Sequence, residues 1–236
     1  MAAGPLLENL VPALLVPPEA HLYYAYGTLL MTRKHRFARA LQEHHEPSLH
    51  GHRPWESSFL LMDYLEYAAT APDPIQTTPL LGPGDQVLDV GCGWGMTAIH
   101  CARRFRARVT ALDRDRDVFP YLQIQAALNG VDIDLAAGDF EQVDPLHLAG
   151  RQLVTGADIC FWDDLIQPLE QLARQAQAAG VVHLILADPG RAPFHRLARR
   201  LLGRYRGQHF NWQALEPRQA EGEILHLLLQ APPALR

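Results

Sequence analysis

The chain has 236 residues, of which 48% are apolar and 20% charged, and its formal net charge is −5. That length allows one large domain, or a domain of ~150–200 residues with an appendage, and so apolar a composition excludes a disordered chain. A mildly acidic balance carries no broad electrostatic footprint for nucleic acid, so a nucleic-acid partner is not expected.

No apolar run reaches the ~18 residues that a membrane-spanning helix needs. Leu10–Val16 is interrupted by Pro12 and closed by Pro17, and Glu8 stands where a signal sequence would have its apolar core. The three cysteines, Cys92, Cys101 and Cys160, give neither an even disulfide set nor a zinc spacing. A soluble, reduced, cytoplasmic protein without a membrane partner is expected. Lys34 is the only lysine and lies in a basic run, which argues against Schiff-base chemistry.

In chain order, Glu19–Met31, Arg33–His45 and Glu56–Ala71 read as helices, the last with an apolar stripe of Phe59, Leu60, Met62, Leu65 and Ala68. Pro72, Pro74 and then Gly82-Pro83-Gly84 mark a change of composition. The expected division is an N-terminal helical extension or lid over 1–72 and a ligand-binding domain over 73–236. Beyond residue 84 short β-like runs alternate with helices. Gln86–Val90, Arg108–Leu112, Ile133–Ala136, Asp158–Phe161 and Val181–Ala187 read as strands. The intervening helices are Met96–Arg104, Asp115–Asn129 and Ile166–Ala179. An arginine-rich amphipathic helix follows, with Phe194, Leu197, Ala198 and Leu201 on its apolar side and a solvated arginine face. His209–Ala214 and Glu223–Gln230 then read as an antiparallel pair. This order predicts an α/β Rossmann-like sandwich with a mostly parallel seven-stranded sheet ending in that pair.

The most informative segment is Asp89-Val90-Gly91-Cys92-Gly93-Trp94-Gly95, a strand entering a glycine turn before a helix. Glycines let a ligand approach the backbone and meet helix N-terminal amides. A dinucleotide fingerprint would need a third glycine at the position of Met96. The observed Gly-x-Gly-x-Gly, preceded by Asp89, suits a nucleoside with an amino-acid tail better than a pyrophosphate, because a carboxylate repels phosphate and attracts an ammonium. Asp113, 22 residues after Gly91, stands at the next strand end, where a carboxylate can accept two ribose hydroxyls. Asp139 and Phe140 follow the third strand, where an adenine could be read and stacked. Each has an ordinary structural explanation as cap or core; the ordered set makes coincidence improbable.

These motifs resemble the successive cofactor motifs of class I S-adenosylmethionine-dependent methyltransferases, over roughly Trp55 to the C-terminus. Within that superfamily Gly156-Ala157-Asp158-Ile159-Cys160-Phe161, Ala187-Asp188-Pro189-Gly190-Arg191 and Trp55-Glu56 resemble segments of the seven-β-strand protein-lysine methyltransferases. The branch most alike acts on the electron-transfer flavoprotein β subunit. The sequence departs from the family pattern after Phe161, where Trp162-Asp163-Asp164 follow. The Asn-Pro-Pro-Tyr signature of amide and nucleobase N-methyltransferases is absent. The resemblance implies S-adenosyl-L-methionine as cofactor, held by Trp55, Asp89, Gly91, Gly93, Gly95, Asp113, Asp139, Phe140 and Ala157. It implies Asp158, Phe161 and Trp162 as the acceptor-side catalytic set, with Asp163 as an alternative acid, and a protein lysine as methyl acceptor.

Asp163 or Asp164 serves equally well as a helix cap, Phe161 as core, and Trp55 as filler between the N-terminal helices and the sheet. A small-molecule methyltransferase and a non-catalytic cofactor-binding subunit remain alternatives on the same fold. His44, His45, His50 and His52 read as solvated loop histidines, since no second ligand pair completes a zinc site. Were that loop to lie over the pocket, a histidine could touch substrate or sense pH. No glycine-serine elbow or Ser-His-Asp set supports hydrolysis.

Overall fold

The computed structural model describes residues 21–48, 50–70 and 80–230. The run Leu10–Val16 and the composition change at residue 72 lie outside them. Seven strands form one sheet: β3 (Gln86–Val90), β4 (Arg108–Asp113), β5 (Asp134–Ala137), β6 (Leu153–Ala157), β7 (His183–Asp188), β8 (Arg206–Ala214) and β9 (Ala220–Leu228). Their spatial order is β5-β4-β3-β6-β7-β9-β8, parallel as far as β7 and antiparallel through β9 and β8. This is the α/β sandwich expected from the alternation.

Side chains alternate between the two faces of the sheet. Val87, Ile185 and Ala187 pack with α2 (Ser57–Thr70), α3 (Met96–Phe105) and α4 (Phe119–Asn129). Leu88, Val90, Leu184 and Leu186 pack with α6 (Ile166–Ala178) and α7 (Ala192–Leu202), near the single turn α5 (Pro145–Leu148). Burial on both faces explains why β7 is almost wholly apolar, each such aliphatic side chain contributing about 1.5–3 kcal/mol. On α7 the apolar stripe is buried, while Arg196 and Arg200 pair with Asp163 and Glu170 on the solvent side.

Two expectations need correction. Residues 22–31 are not helical: β1 (Leu22–Ala25) and β2 (Thr28–Met31) form a hairpin, followed by the short α1 (Arg36–Gln42). Tyr26 and Gly27 both take positive φ, 50° and 71°, as a tight two-residue hairpin turn demands. A tyrosine in place of the usual Asn or Asp hides that signal. Its hydroxyl donates to Asp63 at 2.6 Å and accepts the amides of Leu215 and Glu216, so tertiary bonds hold the strained turn. The outer edge of β2 is satisfied by amide side chains of α4. Gln125 accepts the Met31 N–H at 2.8 Å, and Asn129 both accepts from and donates to the Leu29 backbone.

The second correction concerns the fourth parallel strand. It is Leu153–Ala157, pairing with β3 and β7, and Asp158–Phe161 is the loop that leaves it. Ile159 and Cys160 are buried there for a different reason than strand pairing: Ile159 fills the space beside Gly91 and Gly156. The parallel register sets Leu112 opposite both Val90 and Ala136, so the strand C-termini share one rim. Ligands bind at that rim in open α/β sheets.

Candidate active site

At the rim, β3 ends in the glycine turn. Gly91 has φ +63°, and a Cβ there would lie 2.5 Å from Cγ2 of Ile159. Gly95 has φ +74°, and its missing Cβ makes room for Leu122 of α4. Gly91 therefore shapes the cavity floor, whereas Gly95 permits close helix packing and does not line the cavity. Asp89 lies beneath the turn rather than in it. It accepts the Thr155 hydroxyl at 2.8 Å and the Ala98 amide, and burial pushes its carboxyl up to about 7.

Asp113 closes the end of β4 and lines the cavity. One oxygen accepts the Gly93 N–H at 2.9 Å and the other the Asp115 N–H at 3.0 Å. Burial raises its carboxyl against the lowering effect of those amides. Asp139 follows β5, caps the Glu141 N–H at 3.2 Å and faces Arg114 at 3.6 Å. The half-buried ring of Phe140 stands beside it on the cavity wall.

Ala157 ends β6, and Asp158 turns the chain with φ +63°, an unusual conformation for a residue with a side chain. Its carboxylate is 9% exposed and ion-paired with Arg191, which reaches Asp188 at 3.0 Å as well. The Ser57 hydroxyl adds a bond to Asp158 at 3.3 Å. Asp158 is thus one corner of a cluster in which two carboxylates share one guanidinium. Burial, foremost, raises the Asp188 carboxyl, opposed by the backbone amide and charge of Arg191. Arg191 itself is held above its ordinary value by Asp158 and Asp188, which outweigh its desolvation.

Residues 45–48 and 50–55 cover the other side of the cavity. Ser48 bonds Asp115 through backbone and hydroxyl, and the Tyr121 hydroxyl donates to the His45 carbonyl at 2.9 Å. Two indoles clamp consecutive carbonyls: Trp55 Nε1 donates to His50 at 2.7 Å, and Trp94 Nε1 donates to Gly51 at 2.9 Å. Trp94 is itself stacked on Tyr121 at 4.5 Å. His50 consequently presents its ring to Phe161 at 4.6 Å and to Trp55 and Trp162 at 5.9 Å. His50 is exposed, as expected of a solvated loop histidine, and it also meets these rings at the edge of the site.

The cavity measures about 130 Å³ and is partly open to solvent. Of the residues singled out from sequence, Trp55, Gly91, Gly93, Asp113, Asp139, Phe140, Ala157, Asp158 and Phe161 line it. Asp89 and Gly95 support it from behind, and Trp162 stands half-exposed outside, edge-on to Phe161 at 4.8 Å. Sequence reasoning missed Met96, Leu112, Arg114 and Ile159, along with the covering residues Ser48, Arg53, Pro54 and Ser58. The first four adjoin recognised motifs and could have been found by adjacency. No local pattern marks the cover, which is placed by bonds to distant helices. Among the described residues no group of three His, Cys, Asp or Glu side chains forms a metal site, and no helix is long and apolar enough to cross a membrane.

A mostly parallel sheet with a glycine turn and carboxylates at successive strand ends has the α/β Rossmann-like methyltransferase fold. Comparison with known proteins agrees: residues 87–180 match the family model described as "Methyltransferase domain". A ribosomal protein L11 methyltransferase from Geobacter sulfurreducens is 36% identical over 114 residues, which is 48% of this chain and 35% of that protein. The chain therefore spans about a third of the length of that curated relative. Among solved structures, TrmN from Thermus thermophilus superposes with a TM-score of 0.55 at 18% identity, covering 84% of this chain and 52% of that one. The METTL16 methyltransferase domain gives 0.56 at 10% identity, covering 76% and 85%. At such identities the likeness is one of fold.

Proposed function

We propose that the protein is an S-adenosylmethionine-dependent N-methyltransferase whose acceptor is a lysine amine of a protein. The observation that carries this reading is the cavity itself, where a glycine turn, Asp113 and the Asp139–Phe140 pair line up from one strand end to the next. The residues suit the cofactor. The turn admits a slender amino-acid tail, Asp113 offers carboxylate oxygens to a ribose, and Phe140 offers a ring face to a base. Bound there, S-adenosylmethionine would supply a methyl group already activated on a sulfonium.

The protein's own task is then to position the acceptor and exclude water. Trp55 and Phe161 wall the mouth, and Phe161 presents an aromatic face to a cationic stem. The Asp158–Arg191–Asp188 cluster sets two carboxyl groups against one guanidinium beside that mouth, which favours a nitrogen that becomes positive as it is methylated. We assign the covering residues 45–48 and 50–55 the lid role expected of the N-terminal extension.

A protein acceptor is favoured over a small molecule by a second cleft of about 290 Å³. It shares Arg53, Pro54, Trp55 and Asp158 with the cavity and continues past Pro189 to Glu221. A cleft that runs from the cavity to the exposed Arg218 and Glu221 suits a side chain borne on a polymer. The relative's printed name, ribosomal protein L11 methyltransferase, adds support for a protein rather than a nucleic acid.

The test begins with calorimetry, in which S-adenosylmethionine and its demethylated product are expected to bind saturably. Tritiated cofactor is then incubated with a methylation-deficient lysate, and the label is expected in a protease-sensitive, ribonuclease-resistant band that yields methyllysine. Asp158→Asn should bind cofactor as the parent does and transfer far less label. Absence of cofactor binding overturns the reading, as does label confined to RNA or to small molecules.

A further inference from the structure

We infer that Arg53 is the anchor for the carboxylate of the cofactor's amino-acid tail, an assignment that rests on the cofactor reading above. Six charged residues line the cavity: Asp113, Asp115, Asp139, Asp158, Arg53 and Arg114. Five of them are already engaged. Asp113 accepts two amides, Asp115 is taken by Ser48, Asp139 faces Arg114, and Asp158 pairs with Arg191. Arg53 is different. Its guanidinium lies over the Trp55 ring at 4.0 Å, and among the described residues it has no carboxylate partner.

The chemistry of the ligand completes the argument. The cofactor tail carries an ammonium and a carboxylate next to a sulfonium. A cavity with four carboxylates in its wall meets the positive groups readily and leaves the carboxylate needing a cation. Arg114 stands beside Asp139, at the end where the base would lie. Arg53 stands at the opposite end, beside Trp55 and Asp158, where the cavity meets the cleft. Stacking on an indole leaves the edge of a guanidinium, and hence its forked N–H donors, open to a planar carboxylate. Such a contact would also seat the tail against Trp55 and so fix where the methyl group faces the acceptor.

The experiment compares S-adenosylmethionine with its decarboxylated form, which keeps sulfonium and amine but lacks the carboxylate. Calorimetry is run on the full chain and on Arg53→Gln and Arg53→Lys. Wild type should favour the carboxylated ligand by about 10- to 100-fold, the range of a charge-assisted hydrogen-bond pair. Arg53→Gln should lose that preference by binding S-adenosylmethionine more weakly and the decarboxylated form unchanged, and Arg53→Lys should recover part of it. Unchanged binding of S-adenosylmethionine by Arg53→Gln overturns the inference, as does equal weakening of both ligands, which would assign Arg53 to propping the Trp55 wall. Failure of wild type to bind either ligand would instead refute the cofactor reading on which the inference stands.

Discussion

Asp89→Asn should stabilise the protein above neutral pH. The Asp89 carboxyl is 3% exposed, and burial raises it from 3.8 to about 7, against the lowering bonds of Thr155 and Ala98. A carboxyl raised on folding opposes stability once ionised. The penalty is absent below the unfolded value of 3.8, grows as pH climbs toward 7, and is constant above that. The gap between 3.8 and about 7 corresponds to about 4 kcal/mol at most. Asparagine has the same shape and no charge. Its carbonyl can accept the Ala98 amide, and its NH₂ can donate to the Thr155 hydroxyl, which reverses its role from donor to acceptor. The variant should therefore gain about 2–4 kcal/mol at pH 8 and converge with wild type near pH 4. Urea unfolding at both pH values reads this directly. A variant less stable than wild type at pH 8, with the same pH dependence, would refute the argument that the charge itself is the cost.

Arg191→Met should leave Asp158 and Asp188 facing each other without their shared cation, costing about 2–3 kcal/mol after allowance for the 31% exposure of Arg191; an unchanged thermal midpoint would contradict this. Gly95→Ala should cost about 2–4 kcal/mol, because it adds both left-handed strain and a clash with Leu122. Gly93→Ala has open space at its Cβ and should cost about 1–2 kcal/mol, so equal midpoints for the two variants would count against the packing role of Gly95. His226 is lowered from 6.5 to about 3 by burial and by neighbouring His183, with the Tyr64 hydroxyl on its other nitrogen. A depressed histidine loses stability as pH falls below 6.5, about 2 kcal/mol by pH 5. His226→Gln should flatten that limb of the unfolding curve, and an unaltered limb would place the loss elsewhere.

The strand–turn–helix at residues 86–105 was legible because everything that forms it is local: an apolar run, glycines that accept positive φ, and a helical stripe. Asp113, Asp139 and Phe140 were legible for the same reason, since each stands at the end of a strand and parallel strands share a rim. The hairpin at 22–31 was misread because Tyr26 lacks the chemistry of a tight turn and is held there by Asp63 and the 215–216 backbone, far along the chain. The fourth strand was misplaced because Ile159 and Cys160 are apolar for packing rather than pairing.

Periodicity and turn chemistry, which act over a few residues, thus determined the layered sheet and the place of the glycine cradle. Only the tertiary structure decided what each side chain there is free to do. Arg191, 33 positions beyond Asp158, occupies its carboxylate, and Trp94 and Trp55 fix His50 through its own and its neighbour's carbonyls. Charge and hydrogen bonding act through space over a few ångströms, and the distance along a chain says little about that.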